Sequence, residues 1–210
     1  MRRLPALASV GLVLSLAMSA DASPTTIGVF FDAGATDCDA SVAPFSTFNV
    51  YVSAILGTDA GASGITGADF RVDGLTGLVS SFTPNPAAIS IGDPTFCGCS
   101  IAFPVCMTGS DPRSAVLLYT LTCSVGQIAP PRTVTVSYNR RCPFGDPPFD
   151  PYVVLCDVPQ FTSLIVSGGQ ALINNGSCTV AVQPTTWSIV KSLFAANTVL
   201  QPSAPREDER

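Results

Sequence analysis

A chain of 210 residues with no histidine, ten basic and fifteen acidic side chains and eight cysteines rules out several chemistries before any motif is read. Without imidazole there is no Ser-His-Asp or Cys-His pair and no histidine-ligated zinc. A net charge of −5, with Lys and Arg too sparse to cluster, gives nothing to neutralise phosphates, so nucleic acid is not expected as a partner.

The chain begins MRRLPALASVGLVLSLAMSADASP. Arg2 and Arg3 form a basic start, Leu4 to Met18 an uncharged apolar run, and Ala20-Asp21-Ala22 a small-x-small cleavage pattern. A signal peptide over residues 1–22, cut after Ala22, is therefore expected. The run is short for a bilayer span, and no later stretch is long and apolar enough to supply one. The expected mature chain has no membrane span and is secreted, periplasmic or at the cell surface. It keeps eight basic and fourteen acidic residues; from Ser23 to Leu200 every carboxylate is an Asp, and Lys191 is the only lysine.

Short β-rich runs bounded by Gly, Pro and Asn follow in order. TTIGVFFD (25–32) is a first strand. STFNVYVSAIL (46–56) alternates, with Phe48, Val50, Val52 and Ala54 on one face. TGADFRVDG (66–74) places Ala68, Phe70 and Val72 opposite Asp69, Arg71 and Asp73. Residues 114–125, 132–139, 151–158, 161–167, 170–175 and 178–183 read as further strands. Strands at this spacing without intervening helices predict an all-β, antiparallel β-sandwich over residues 23–184. In TTWSIVKSLFAA, Trp187, Val190 and Phe194 recur at helical spacing behind Thr186, predicting a short helix over 185–196 packed on the sandwich. Residues 201–210 are polar, with two prolines, and read as a disordered tail.

The stretch FNVYVSAILG…ITGADFRVDG resembles the opening strands of cohesin-like and Ig-like extracellular sandwiches, and SGGQALINNGSCTVAVQPTTWSIVKSLF resembles the C-terminal part of a group of exported bacterial proteins. The first resemblance implies a sandwich fold; the second implies no activity. Neither carries over a binding residue.

All eight cysteines follow the cleavage site, and an even count in an exported chain implies disulfides. FCGCSIAFPVC (96–106) offers no metal partner set, and no cation lies near Cys97-Gly98-Cys99 to lower a thiol pKa for exchange. The local pairs expected are Cys99–Cys106 and Cys142–Cys156, with Cys38, Cys97, Cys123 and Cys178 of open pairing. Each bridge typically contributes about 2–4 kcal/mol by restricting the unfolded chain.

Four motifs carry alternative readings. Asp32, Asp37 and Asp39 could supply hard oxygens to Ca²⁺, or simply form a solvated acidic loop; DPPFD (146–150) is a lesser case. Ser188-Ile189-Val190-Lys191 has S-x-x-K spacing but lacks the S-D-N and K-T-G companions of penicillin-recognising enzymes. Asn175-Gly176-Ser177 is both a glycosylation acceptor pattern and a turn signal. With no catalytic residues assigned and no cofactor expected, the leading reading is a non-catalytic exported module for binding, adhesion or envelope structure. Its partner would be a protein or carbohydrate at the cell surface. An Asp-dependent, glycosidase-like hydrolase or a carbohydrate-binding module is the alternative.

Overall fold

The computed structural model describes residues 23–60, 64–109, 114–139, 150–157 and 159–178. Along them run β1 (Thr26–Phe30), β2 (Asp39–Ala40), β3 (Thr47–Ile55), β4 (Ile65–Asp73), β5 (Val79–Pro84), β6 (Ile89–Asp93) and β7 (Gly98–Met107). These are followed by β8 (Ala115–Ser124), β9 (Arg132–Ser137), β10 (Tyr152–Leu155), β11 (Ser163–Ile165), β12 (Ser167–Gly168) and β13 (Gln170–Ile173). One sheet has the order β12-β1-β3-β8-β5. The larger has the order β11-β10-β4-β9-β13-β2, with β7 added to β4 and β6 to β7. Strand β4 organises the larger sheet: its first part pairs with both β10 and β7, and Arg71–Asp73 pair with β9. The β1–β12 and β2–β13 pairs are parallel; the others are antiparallel. The all-β sandwich expected from the alternation is what forms.

The period-2 pattern decides which side chains go inward. Val50, Val52 and Ala54 of β3 and Ala68, Phe70 and Val72 of β4 are buried, as their spacing predicts. Burying one such side chain is worth about 1.5–3 kcal/mol. In β8 the alternation breaks: Val52 pairs with Tyr119 but Ser53 with Leu117, leaving Leu118 as the extra residue of a bulge. Both Leu118 and Tyr119 are therefore buried. Asn85, just past β5, takes up the irregular backbone, its amide N bonding to the Leu118 carbonyl (2.9 Å) and its Nδ2 to that of Leu117 (2.8 Å).

Tyr119 joins the two layers. Its ring meets Phe70 of the opposite sheet edge-on at 6.1 Å and Phe82 of its own sheet at 6.3 Å. Its hydroxyl is hydrogen-bonded to Ser90 of β6 and engages Cys99 of β7. Burial pushes the phenol up to about 12 and the Cys123 thiol up to about 11, and raises Cys99 further. Both thiols stay protonated at neutral pH and lack nucleophilic character.

The disulfide pairing differs from the local guesses. Cys106 is joined to Cys156 and Cys38 to Cys178, each with Cα atoms 5.9 Å apart, and Cys97 is also disulfide-bonded. Cys99–Cys106 is not a pair, because both lie in the extended strand β7, roughly 23 Å apart at ~3.3 Å per residue, too far to bridge. Cys142–Cys156 is likewise replaced, since Cys156 is taken by Cys106. Ile65 explains the new partner: it pairs with Met107 on one side and Leu155 on the other, so the neighbouring cysteines flank the start of β4. Gly64 (φ +79) sits at that start, where a Cβ would collide with the Met107 carbonyl oxygen. Cys99 and Cys123 remain free and buried. Cys142, the helix expected over 185–196 with Trp187 and Lys191, and the 201–210 tail lie outside the described residues.

Two outcomes follow. Alkylation without reductant should leave Cys99 and Cys123 unmodified in the native protein and label both in denaturant, while Cys38, Cys106, Cys156 and Cys178 stay unlabelled; peptide mapping reads this, and labelling of Cys106 would refute the pairing. Tyr119→Phe should cost about 1–1.5 kcal/mol through the lost hydroxyl bond. Tyr119→Ala should cost about 3–5 kcal/mol, measured as shifts in urea midpoint at unchanged slope.

Candidate functional site

The turn from β6 to β7 fixes the geometry of the larger sheet's outer face. Asp93 Oδ1 accepts from the Thr95 amide (2.7 Å) and hydroxyl (2.8 Å), closing the turn over Pro94–Cys97. The stretch FCGCSIAFPVC is this turn running into β7, a strand that sequence reading treated only as a cysteine cluster. Pairing across the strands then sets two outward rows. One runs Ile91, Ser100, Asp69, Tyr152, Ile165; the other runs Ile89, Ala102, Gly67, Val154, Ser163. The row between them, which includes Ser90, Ile101, Ala68 and Val153, faces the core.

The rim of this face is apolar and open. Ile91 is 75% exposed, Ile89 71% and Ile165 70%, and Val105 at the end of β7 is exposed as well. Among the described residues β6 pairs with β7 alone, so it is an edge strand, and it carries no lysine or mid-strand proline to blunt it. These residues were missed in the sequence. The available signal was the Ile89-Ser90-Ile91 alternation between Pro86 and Pro94, obscured by the prolines.

The centre of the face is polar and closed. Asp69 is 1% exposed and accepts from Ser100 Oγ at 2.6 Å. Arg71, also buried, pairs with Asp73 at 2.7 Å, donates to Ser137 Oγ at 3.3 Å and lies 5.2 Å from the Tyr138 ring centre. Ser137 in turn donates to Asp73 at 2.5 Å. Arg71 is buried while Asp73 is half-exposed, so solvent screens the pair on one side, and the shared Ser137 hydroxyl links β4 to β9. The Asp69 and Asp73 Cα atoms are about 13 Å apart at ~3.3 Å per residue, with Arg71 between. The carboxyl pairs of glycosidases stand roughly 5–9.5 Å apart.

The acidic loop uses its carboxylate internally. Both oxygens of Asp32 are occupied: Oδ1 accepts from the amides of Thr36 (2.7 Å) and Asp37 (2.6 Å), and Oδ2 from the Gly34 amide and the Thr36 hydroxyl (both 3.0 Å). Partial burial pulls this carboxyl's pKa up, but the amides of Asp37, Thr36 and Gly34 outweigh it and hold the group below its ordinary value. Asp37 is exposed and Asp39 sits on β2. Among the described residues no three His, Cys, Asp or Glu side chains converge on a point that could hold a metal ion. Asn175 lies in an exposed bend after β13. Ser188–Lys191 and most of the DPPFD stretch lie outside the described residues. No helix among the described residues is long and apolar enough to cross a membrane.

No protein-family model and no curated protein matches this chain. Solved structures similar to it include cohesin modules. The sixth cohesin of Acetivibrio cellulolyticus scaffoldin B, solved in complex with a Cel5 dockerin, aligns at TM-score 0.45 and 13% identity over 73% of this chain and 100% of that one. The cohesin module of a Clostridium perfringens family 33 glycoside hydrolase aligns at 0.44 and 12%, covering 73% of this chain and 97% of that one. A non-cellulosomal cohesin from Archaeoglobus fulgidus aligns at 0.44 and 12%, covering 72% and 91%. At such values the likeness is one of general architecture, and it gives no residue of this chain a role.

Proposed function

We propose that this chain is an exported, non-catalytic binding module that takes a protein partner on the outer face of its larger sheet. The observation that carries this reading is the open apolar rim of that face, with Ile89 and Ile91 on an unblocked edge strand and Ile165 across the sheet. Large apolar side chains grouped on one face mark interaction surfaces, and a free edge offers backbone groups to an incoming strand.

Charge indicates the partner's character. The described residues contain two cations. Arg71 is buried in its pair with Asp73, and Arg132 donates to the carbonyls of Gly74 (3.2 Å) and Thr76 (2.9 Å). The remaining charges on the described surface are carboxylates, including Asp150 and Asp157 beside β10. An extended segment with apolar side chains and flanking Lys or Arg complements such a face. The oxidised cysteines agree with export into an oxidising compartment.

Site-specific photo-crosslinking in the producing cells tests this. Benzoylphenylalanine at position 91 should give a discrete protein adduct that the same probe at Asn49, exposed on the opposite sheet, does not give. Ile89→Asp should abolish the adduct while leaving the urea midpoint within about 0.5 kcal/mol, as expected for a surface change. Equal adducts from both positions, or none from position 91, would overturn the reading.

A further inference from the structure

We propose that Asn175 is a self-modifying site, where the chain converts its own side-chain amide into an aspartyl or isoaspartyl carboxylate. Asn49 precedes Val50, Asn85 precedes Pro86, Asn139 precedes Arg140, Asn174 precedes Asn175 and Asn197 precedes Thr198; Asn175 alone precedes a glycine. The reaction needs the next residue's backbone nitrogen to reach the asparagine carbonyl, and a residue with no Cβ leaves that path unobstructed.

The fold leaves this segment free between two fixed points. Asn174 is pinned: its amide donates to the Ala40 carbonyl (2.9 Å), its Oδ1 accepts from the Val42 amide (2.7 Å), and its Nδ2 donates to the carbonyls of Val42 (2.9 Å) and Ala129 (3.1 Å). Cys178 is fixed through its disulfide to Cys38. Asn175, Gly176 and Ser177 between them are exposed and make no hydrogen bond with the described residues. Gly176 has φ +90, and no atom lies within 4 Å of the place a Cβ would occupy. Its N–H is therefore committed to no partner among the described residues, and the backbone around it has room to turn.

The chemistry closes without a redox partner. The Gly176 nitrogen, having given its proton to solvent base, attacks Cγ of Asn175. The new N–Cγ bond closes a succinimide ring, the Cγ–Nδ2 bond breaks, and Nδ2 departs as ammonia after taking a proton from water. Water then opens the ring at one of its two carbonyls. Opening at Cγ gives aspartate; opening at the backbone carbonyl routes the main chain through Cβ and Cγ and gives isoaspartate. One water is consumed and one ammonia released.

Incubation of the folded, disulfide-intact protein at mildly alkaline and at acidic pH, followed by reduction and peptide mapping, tests the assignment. At alkaline pH the peptide holding Asn175 should gain the mass of an amide-to-acid exchange and resolve into two isomers. One isomer should accept a methyl group from an isoaspartyl methyltransferase used as a labelling reagent. The rate should match that of a synthetic Gln170–Cys178 peptide, fragment ions should place the change on Asn175 and not on Asn174, the peptides holding Asn49 and Asn85 should stay unchanged, and Gly176→Ala should lose the conversion. Persistence of Asn175 in the folded chain while the synthetic peptide converts would overturn the proposal. So would a carbohydrate on Asn175 of the exported protein, since a substituted amide does not leave as ammonia.

Discussion

The sandwich depends on how Tyr119 spans its two layers. A phenol in a core brings a large apolar area and one hydroxyl that must not be stranded. Here the ring packs on Phe70, and the hydroxyl reaches Ser90 and Cys99 on adjacent strands of the other sheet. That contact sets the side-chain parity of the outermost strand β6. With Ser90 held inward, Ile89 and Ile91 have to face outward. The proposed docking rim is thus the other side of an internal anchor. The bulge at Leu118 belongs to the same arrangement, because it puts two consecutive side chains of β8 into the core at this height.

The chain compensates for few charges with covalent links. It has little material for surface ion-pair networks, and its one described salt bridge is sunk into the larger sheet, where Arg71, Asp73 and Ser137 fix β4 against β9. Bridges do the rest. Cys106–Cys156 clamps the two neighbours of β4 where that strand begins, and Cys38–Cys178 ties the segment before β2 to the end of β13. In the chain-entropy picture a closed loop of 140 residues is worth about 5 kcal/mol. Among the described residues, the two unpaired cysteines are the two that the core shields most fully, so burial protects them as bonding protects their described neighbours.

What could be read in the sequence was the part written in plain alternation. β3, β4 and β9 announce themselves through β-branched and aromatic residues at period 2, and β8 reads as a strand too, although its bulge at Leu118 breaks the period. The segment 79–107 was illegible for a physical reason. β5 and β6 lie at sheet edges, where few side chains are buried and prolines are tolerated, and the alternation of β7 runs through cysteines and a proline that drew the reading to disulfides. Pro104 sits where Ile65 pairs with Met107 and Gly67 with Ala102, a slip in register that spares it from ladder bonding. Ile89, Ile91 and Val105 of the proposed docking rim lie in this segment and were lost with it. The disulfide partners were hidden for a related reason. Proximity across β4 is a product of topology, and spacing along the chain carries no trace of it.

The Cys38–Cys178 bond also has a mechanical meaning. Tension applied through the segments flanking this bond is transmitted from sulfur to sulfur and never loads the strands enclosed between them. Of the strands described, β1 alone precedes Cys38, so it alone can be peeled away by a pull on the amino-terminal side. Every described strand of the larger sheet lies within the covalent ring. The domain can lengthen by a short, defined step while its larger sheet stays folded, as a tether with a small amount of slack built in would.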